Sequence, residues 1–173
     1  MSTEFEGDVD PYLSARQARH LRGSIPLAKM HRLTALLQSA GGDVEVEMQF
    51  ALADGGRAQL TLAIKAVLIA QCQRCLEAME YPLSCKRRLM MVDDQAQIDT
   101  LPPGYEPVLV ENQQLALIPL VEDELLLSLP IVFKHEHCAA AVTTAGESET
   151  STVLKRENPF AVLEQLKNSK EPK

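Results

Sequence analysis

The chain contains no tryptophan, and aromatic residues make up only 4% of its 173 positions. A surface that stacks nucleobases on exposed rings is therefore poorly provided for. Basic residues are also scarce. Seventeen Lys and Arg stand against 24 Asp and Glu, a formal net charge of -7. That balance opposes broad electrostatic attraction to nucleic acid, leaves room for a local basic patch, and suits a basic protein partner. No apolar run approaches the roughly 18 to 20 residues that a bilayer requires. The opening Met1-Ser2-Thr3-Glu4-Phe5-Glu6-Gly7-Asp8 is acidic and lacks the basic-then-apolar pattern of a secretory signal. A cytoplasmic protein without membrane contact is expected, and its cysteines should stay reduced, bind metal or do redox work. Catalytic signatures are missing too: there is no GxGxxG, Walker loop, GxSxG or HExxH. The chain is read as no enzyme, and no small-molecule substrate is evident.

Hydrophobic residues reach 46%, enough for a packed core, so a folded chain is expected. Asp10-Pro11 can open a short turn or helix. Pro26 suits a first helical position, and Leu27, Met30, Leu33, Leu37 and Ala40 recur at spacings of three and four, which predicts a helix ended by Gly41-Gly42. Val44, Val46, Met48, Phe50 and Leu52 alternate with polar residues, as do Leu60, Leu62, Ile64, Ala66 and Leu68. Asp54-Gly55-Gly56 between them is a hairpin signal. A third strand is expected from Met79 to Met91 and a short one from Pro107 to Val110. A second main helix, Leu115 to Leu129, is stopped by Pro130. The fold class is α+β: an antiparallel sheet, open to barrel-like closure, packed with two main helices. Residues 1–138 form the expected domain. Residues 139–157, rich in Ala, Thr, Ser and Glu, read as a flexible linker, and 158–173 as a tail carrying Asn158-Pro159-Phe160.

The chemistry gathers in two clusters, Cys72-Gln73-Arg74-Cys75 and His135-Glu136-His137-Cys138. Two cysteines spaced as CxxC can turn their sulfurs onto one ion, and thiolates suit zinc. Cys72, Cys75 and Cys138 with His137 make the candidate set for a zinc cofactor. His135 is the alternative to His137, and Cys85 is a weaker candidate. The competing readings are free cysteines and thioredoxin-like redox chemistry, the latter disfavoured because this CxxC lies between two antiparallel strands. Arg74, Lys86, Arg87 and Arg88 can form a basic patch, although Glu77 and Glu80 dilute it and a solvated hairpin would look the same. Glu122-Asp123-Glu124 is expected to face solvent.

Four elements in order resemble one family: Cys72-Gln73-Arg74-Cys75-Leu76, then Val121-Glu122-Asp123-Glu124-Leu125 running to Leu129-Pro130, then His137-Cys138, then Asn158-Pro159-Phe160-Ala161-Val162-Leu163. The ordered set looks like the YceD family of bacteria and plastids, the large ribosomal RNA subunit accumulation proteins. That resemblance implies a non-enzymatic factor supporting large-subunit ribosomal RNA, with that RNA or a large-subunit ribosomal protein as partner. It carries over to Cys72, Cys75 and Cys138, and makes Asn158, Pro159 and Phe160 docking candidates beside Arg74, Lys86, Arg87 and Arg88. Where the family usually has a second proline, Ile131-Val132-Phe133-Lys134 stands here. Competing readings are a zinc-stabilised interaction adapter without a ribosomal role and a thiol- or metal-dependent enzyme.

Overall fold

The computed structural model describes residues 5–141. The linker expected beyond Ala141 and the segment with Asn158, Pro159 and Phe160 lie outside the described residues. In chain order come β1 (Asp8–Val9), α1 (Pro11–Arg16), β2 (His20–Pro26), α2 (His31–Thr34), β3 (Asp43–Leu52), β4 (Ala58–Gln71), β5 (Ala78–Val92), β6 (Glu106–Leu109), β7 (Leu115–Ala116) and α3 (Leu117–Ser128). Asp10 caps α1, its carboxylate accepting the N–H groups of Tyr12 and Leu13 at 2.9 Å each, with Pro11 in the first helical position.

Alternating patterns become long strands. Val44, Val46, Met48 and Phe50 point inward from β3, while Leu60, Leu62, Ile64 and Leu68 point inward from β4. The turn between them places Gly55 and Gly56 at φ +84° and +76°, conformations that a side chain would resist. In β5 the inward parity runs through Tyr81, Leu83, Cys85, Arg87, Leu89 and Met91, opposite the inward residues of β4. The sheet order is β2-β3-β4-β5-β6, with antiparallel pairing except that β6 joins β5 in parallel. This corrects the barrel-like expectation. The sheet stays open because its end strands, β2 and β6, pair only with β3 and β5, and β6 is short. Its apolar face is instead covered by Leu117, Val121 and Leu125 of α3, by Leu27 and Leu33, and by Phe5. The β1–β7 pair is a separate small sheet.

The first main helix is also corrected. Pro26 ends β2 rather than opening a helix, because Ile25 and Pro26 pair with Val44 and Asp43. A 3-10 turn at Leu27–Lys29 follows, Met30 leaves helical geometry at φ -110° and ψ 80°, and α2 lasts four residues. Leu27, Met30 and Leu33 are all fully buried. Their three-residue spacing suits the three residues per turn of a 3-10 geometry, so the apolar positions are satisfied without a continuous α-helix.

The acidic triplet in α3 departs from its expected exposure. Glu122 and Glu124 are only 7% and 5% exposed, and Asp123 alone faces outward. Glu122 Oε1 accepts the backbone N–H groups of Arg32 (2.7 Å) and Leu33 (3.0 Å). It thus caps α2, which has no side-chain cap of its own. The Arg32 guanidinium donates to Glu122 Oε2 at 3.0 Å and reaches Asp123 at 2.7 Å. Burial alone would raise the Glu122 pKa, but the Leu33 N–H and the Arg32 donors outweigh it and hold the carboxyl below its ordinary value.

Candidate metal centre

β4 carries the chain out of the sheet at Gln71, and Cys72 begins the turn into β5. The turn is tight: the Leu76 N–H donates to the Cys72 carbonyl and the Cys72 N–H to the Glu77 carbonyl, both at 2.8 Å. Leu76 sits in the left-handed region at φ +65°, held there by these bonds and by the Gln71 side chain donating to its carbonyl at 3.0 Å. A leucine there is conformationally costly, and the Leu76–Cys72 backbone bond closes the turn that carries both cysteines. Cys72 is fully buried; Cys75 is partly exposed.

The second arm follows Pro130. The Gln73 N–H donates to the Phe133 carbonyl at 2.8 Å, and the Ala141 N–H to the Arg74 carbonyl at 2.9 Å. These bonds clamp the arm to the turn on both sides of His135 and Cys138. Phe133 packs edge-on against Tyr81 of β5, ring centroids 5.4 Å apart at 83°. Such a pair adds about 0.5–1.5 kcal/mol to the area it buries.

The arm delivers its ligands to the turn. One ligand atom from each of Cys72, Cys75, His135 and Cys138 lies within 4.8 Å of the other three. The sulfurs of Cys72 and Cys138 are 3.7 Å apart, and Cys75 Sγ is 3.3 Å from His135 Nδ1. This Cys3His group could hold a metal ion. His137, the histidine first chosen from sequence, stands outside the group with a 93% exposed side chain. Cys85 packs inward opposite Ile64, away from the group.

The surroundings favour negative charge at the Cys72 sulfur. Arg74 Nε donates to Cys138 Sγ at 2.9 Å, and its terminal nitrogen donates to the His135 carbonyl at 3.3 Å. The His135 N–H approaches Cys72 Sγ at 3.4 Å. Burial would raise the Cys72 pKa, yet the N–H groups of Cys75, His135 and Arg74 overcome it and bring the thiol down to about 5. At Cys75 the Glu77 N–H favours the thiolate, but burial and the neighbouring sulfurs of Cys72 and Cys138 prevail and push its pKa up.

The four basic candidates do not form one patch. Arg74 belongs to the cysteine cluster. Arg87 points inward from β5, its Nε 3.2 Å from Glu124 Oε2 and its terminal nitrogen donating to Ser128 at 3.3 Å. Lys86 and Arg88 lie on the opposite, outer face of the same strand. The sequence pattern gave no sign of Arg74 bonding a cysteine or of a buried Glu124. Arg87, expected in that patch, instead shares the inner parity of Tyr81, Leu83 and Cys85.

Among the described residues no helix is long and apolar enough to cross a membrane. No solved structure matches the chain. Residues 60–167 match the family described as large ribosomal RNA subunit accumulation protein YceD, a span covering most of β4, β5, α3 and the whole Cys3His group. A curated protein of Haemophilus influenzae, named large ribosomal RNA subunit accumulation protein YceD, is 31% identical over 167 residues, 92% of this chain and 94% of that protein. A family match over more than half the chain, joined by similarity along nearly the full length of both proteins, leads to one conclusion: the chain belongs to the YceD family.

Proposed function

We propose that this protein is a non-enzymatic factor that supports accumulation of large-subunit ribosomal RNA, acting in the cytoplasm by binding that RNA or one of its ribosomal proteins. The observation that carries the reading is the end-to-end similarity to a relative named for that process. In this reading Cys72, Cys75, His135 and Cys138 hold a structural zinc ion. Zinc with sulfurs at about 2.3 Å and nitrogen at about 2.0 Å has tetrahedral edges of roughly 3.8 Å between sulfurs and 3.5 Å from sulfur to nitrogen. The 3.7 Å and 3.3 Å separations already lie near those edges. Four protein donors would fill a tetrahedral shell, which suits a structural site better than a catalytic one. The ion would tie the arm after Pro130 to the β4–β5 turn. Asn158, Pro159 and Phe160 remain docking candidates on the family resemblance alone.

The test is a strain lacking the protein. Large-subunit ribosomal RNA should fall while small-subunit RNA changes less, and the wild-type chain should restore it. Equal loss of both RNAs, or of neither, across growth temperatures would overturn the ribosomal reading.

A further inference from the structure

We infer that a strip on the outer face of the sheet, made by Lys65, Lys86 and Arg88 with Tyr105 at its end, is a binding surface for the phosphate backbone of an RNA. The inference rests on the proposed ribosomal role and names the surface through which it would act.

The pleat decides which side chains share this face. Lys65 pairs with Ser84, Ala63 with Lys86 and Thr61 with Arg88, so these residues form three adjacent rows pointing away from the core. Lys65, Lys86 and Arg88 are all exposed. Among the described residues none of the three is within ion-pair distance of a carboxylate, whereas Arg32 and Arg87 both are. Neighbouring rows lie about 6.6 Å apart along the strands, so three cations are presented in a short line. Ala63 and Ser84, which pair with Lys86 and Lys65, are small, so a polyanionic chain can approach the backbone closely there.

The far end is organised. The Arg88 guanidinium lies over the Tyr105 ring, 4.9 Å from its centroid, and the Tyr105 hydroxyl donates to Gln59 at 2.8 Å. A Cβ at Gly104 would come within 2.6 Å of that guanidinium, and Gly104 has φ +83°, so the glycine leaves it room. Arg88 is thus held rather than free, which lowers the entropy lost on gripping a phosphate.

The occupant follows from charge. The chain is acidic overall, yet the outward positions from Gln59 to Lys65 on β4 and from Ser84 to Met90 on β5 carry three cations and no carboxylate. Glu45 and Glu47 on β3 border the strip on one side, and Glu80 lies beyond Ser84. These acids repel a polyanion and confine it to the strip, while an acidic protein would find too few cations for a standard interface. The strip has one aromatic ring, so it supplies backbone contact more than base stacking.

The test uses the full chain and a transcript of large-subunit ribosomal RNA, with affinity measured across salt. A triple variant, Lys65→Ala with Lys86→Ala and Arg88→Ala, should bind at least tenfold more weakly at about 0.1 M salt. Its log–log salt slope should be shallower by roughly 2 to 3, at about 0.7–0.9 per lost phosphate contact. A control removes equal charge elsewhere, at exposed Arg16, Arg19 and Lys134, and should bind as wild type does. Thermal melts confirm that both fold. An unchanged slope in the strip variant, an equal loss in the control, or no RNA binding by the wild type would each overturn the inference. A strip variant that binds RNA poorly and fails to restore ribosomal RNA supports both readings. If the wild type binds no RNA yet restores it, only the strip is refuted.

Discussion

His135 Nδ1 lies 3.3 Å from Cys75 Sγ, while the backbone N–H of the same histidine points at Cys72 Sγ from 3.4 Å. One residue therefore touches both ends of the CxxC turn, once through its ring and once through its main chain. Its neighbour two positions on, His137, has no such contact and stands in solvent. The difference follows from the backbone: Gln73 fixes Phe133, and Phe133 is anchored on Tyr81, so His135 is the first histidine to arrive over the sulfurs.

Protein purified without chelator should carry about one equivalent of zinc by elemental analysis. Cys72→Ser and His135→Ala should each lose most of it, and His137→Ala should keep it. Ligand loss should also lower thermal stability, because structural metal binding is coupled to folding. Retention of full metal by His135→Ala would remove that residue from the site.

Arg74 should tune the same centre. Three thiolates around a bound Zn2+ would leave one net negative charge, and the Arg74 Nε–H donates to the Cys138 sulfur at 2.9 Å. Arg74→Ala should weaken zinc by about 10- to 100-fold in chelator competition. Arg74→Lys should recover part of this, since an ammonium keeps the charge but not the fork that also reaches the His135 carbonyl. Equal affinity for all three proteins would make Arg74 a mere packing residue.

Much of the sheet was legible because β3, β4 and β5 repeat a two-residue period that only one pairing register buries. The helix expected from Pro26 was misread because Leu27, Met30 and Leu33 satisfy helical and 3-10 spacing alike. What decided between them was nonlocal: the pairing of Ile25 with Val44 and the cap from Glu122, ninety positions away by the separation of the bonded residues. The cysteines of the candidate site were legible from spacing. The choice of His135 over His137 was not, since it depends on Phe133 docking on a ring in another strand. Glu124 was hidden for a similar reason, its partner Arg87 being visible only once the strands were in register.

Removing Glu122 should unravel the α2 end of the molecule. Glu122→Ala leaves the Arg32 and Leu33 N–H groups without their acceptor and should cost about 1–3 kcal/mol in urea unfolding. The pH sign follows from its lowered pKa. Its stabilisation is complete above the unfolded carboxylate value and is lost as pH falls through the lower folded value. Glu122→Gln should therefore flatten the acid limb of the stability curve. An unchanged acid limb would contradict the cap.

Glu124, two residues on, should show the opposite sign. Burial first, then Glu106, raise its pKa, and Arg87 only partly offsets them. An acid with a raised folded pKa makes stability fall as pH rises from the unfolded value through the folded one, because the native state holds the extra proton. Arg87→Ala would strip the carboxylate of its partner and push that folded value higher still. The cost should be about 2–4 kcal/mol near pH 7.5, below the range for a fully buried pair because Arg87 is 31% exposed. The cost should shrink toward pH 5, where Glu124 can take up a proton instead of remaining a bare buried charge. Replacing both residues, Arg87→Met with Glu124→Leu, should recover most of the loss, since two apolar side chains of similar size need no partner. Urea unfolding of the single and double variants at both pH values decides the matter. A penalty for Arg87→Ala that is the same at both would mean that the pair acts by packing alone and that its charge is of no consequence.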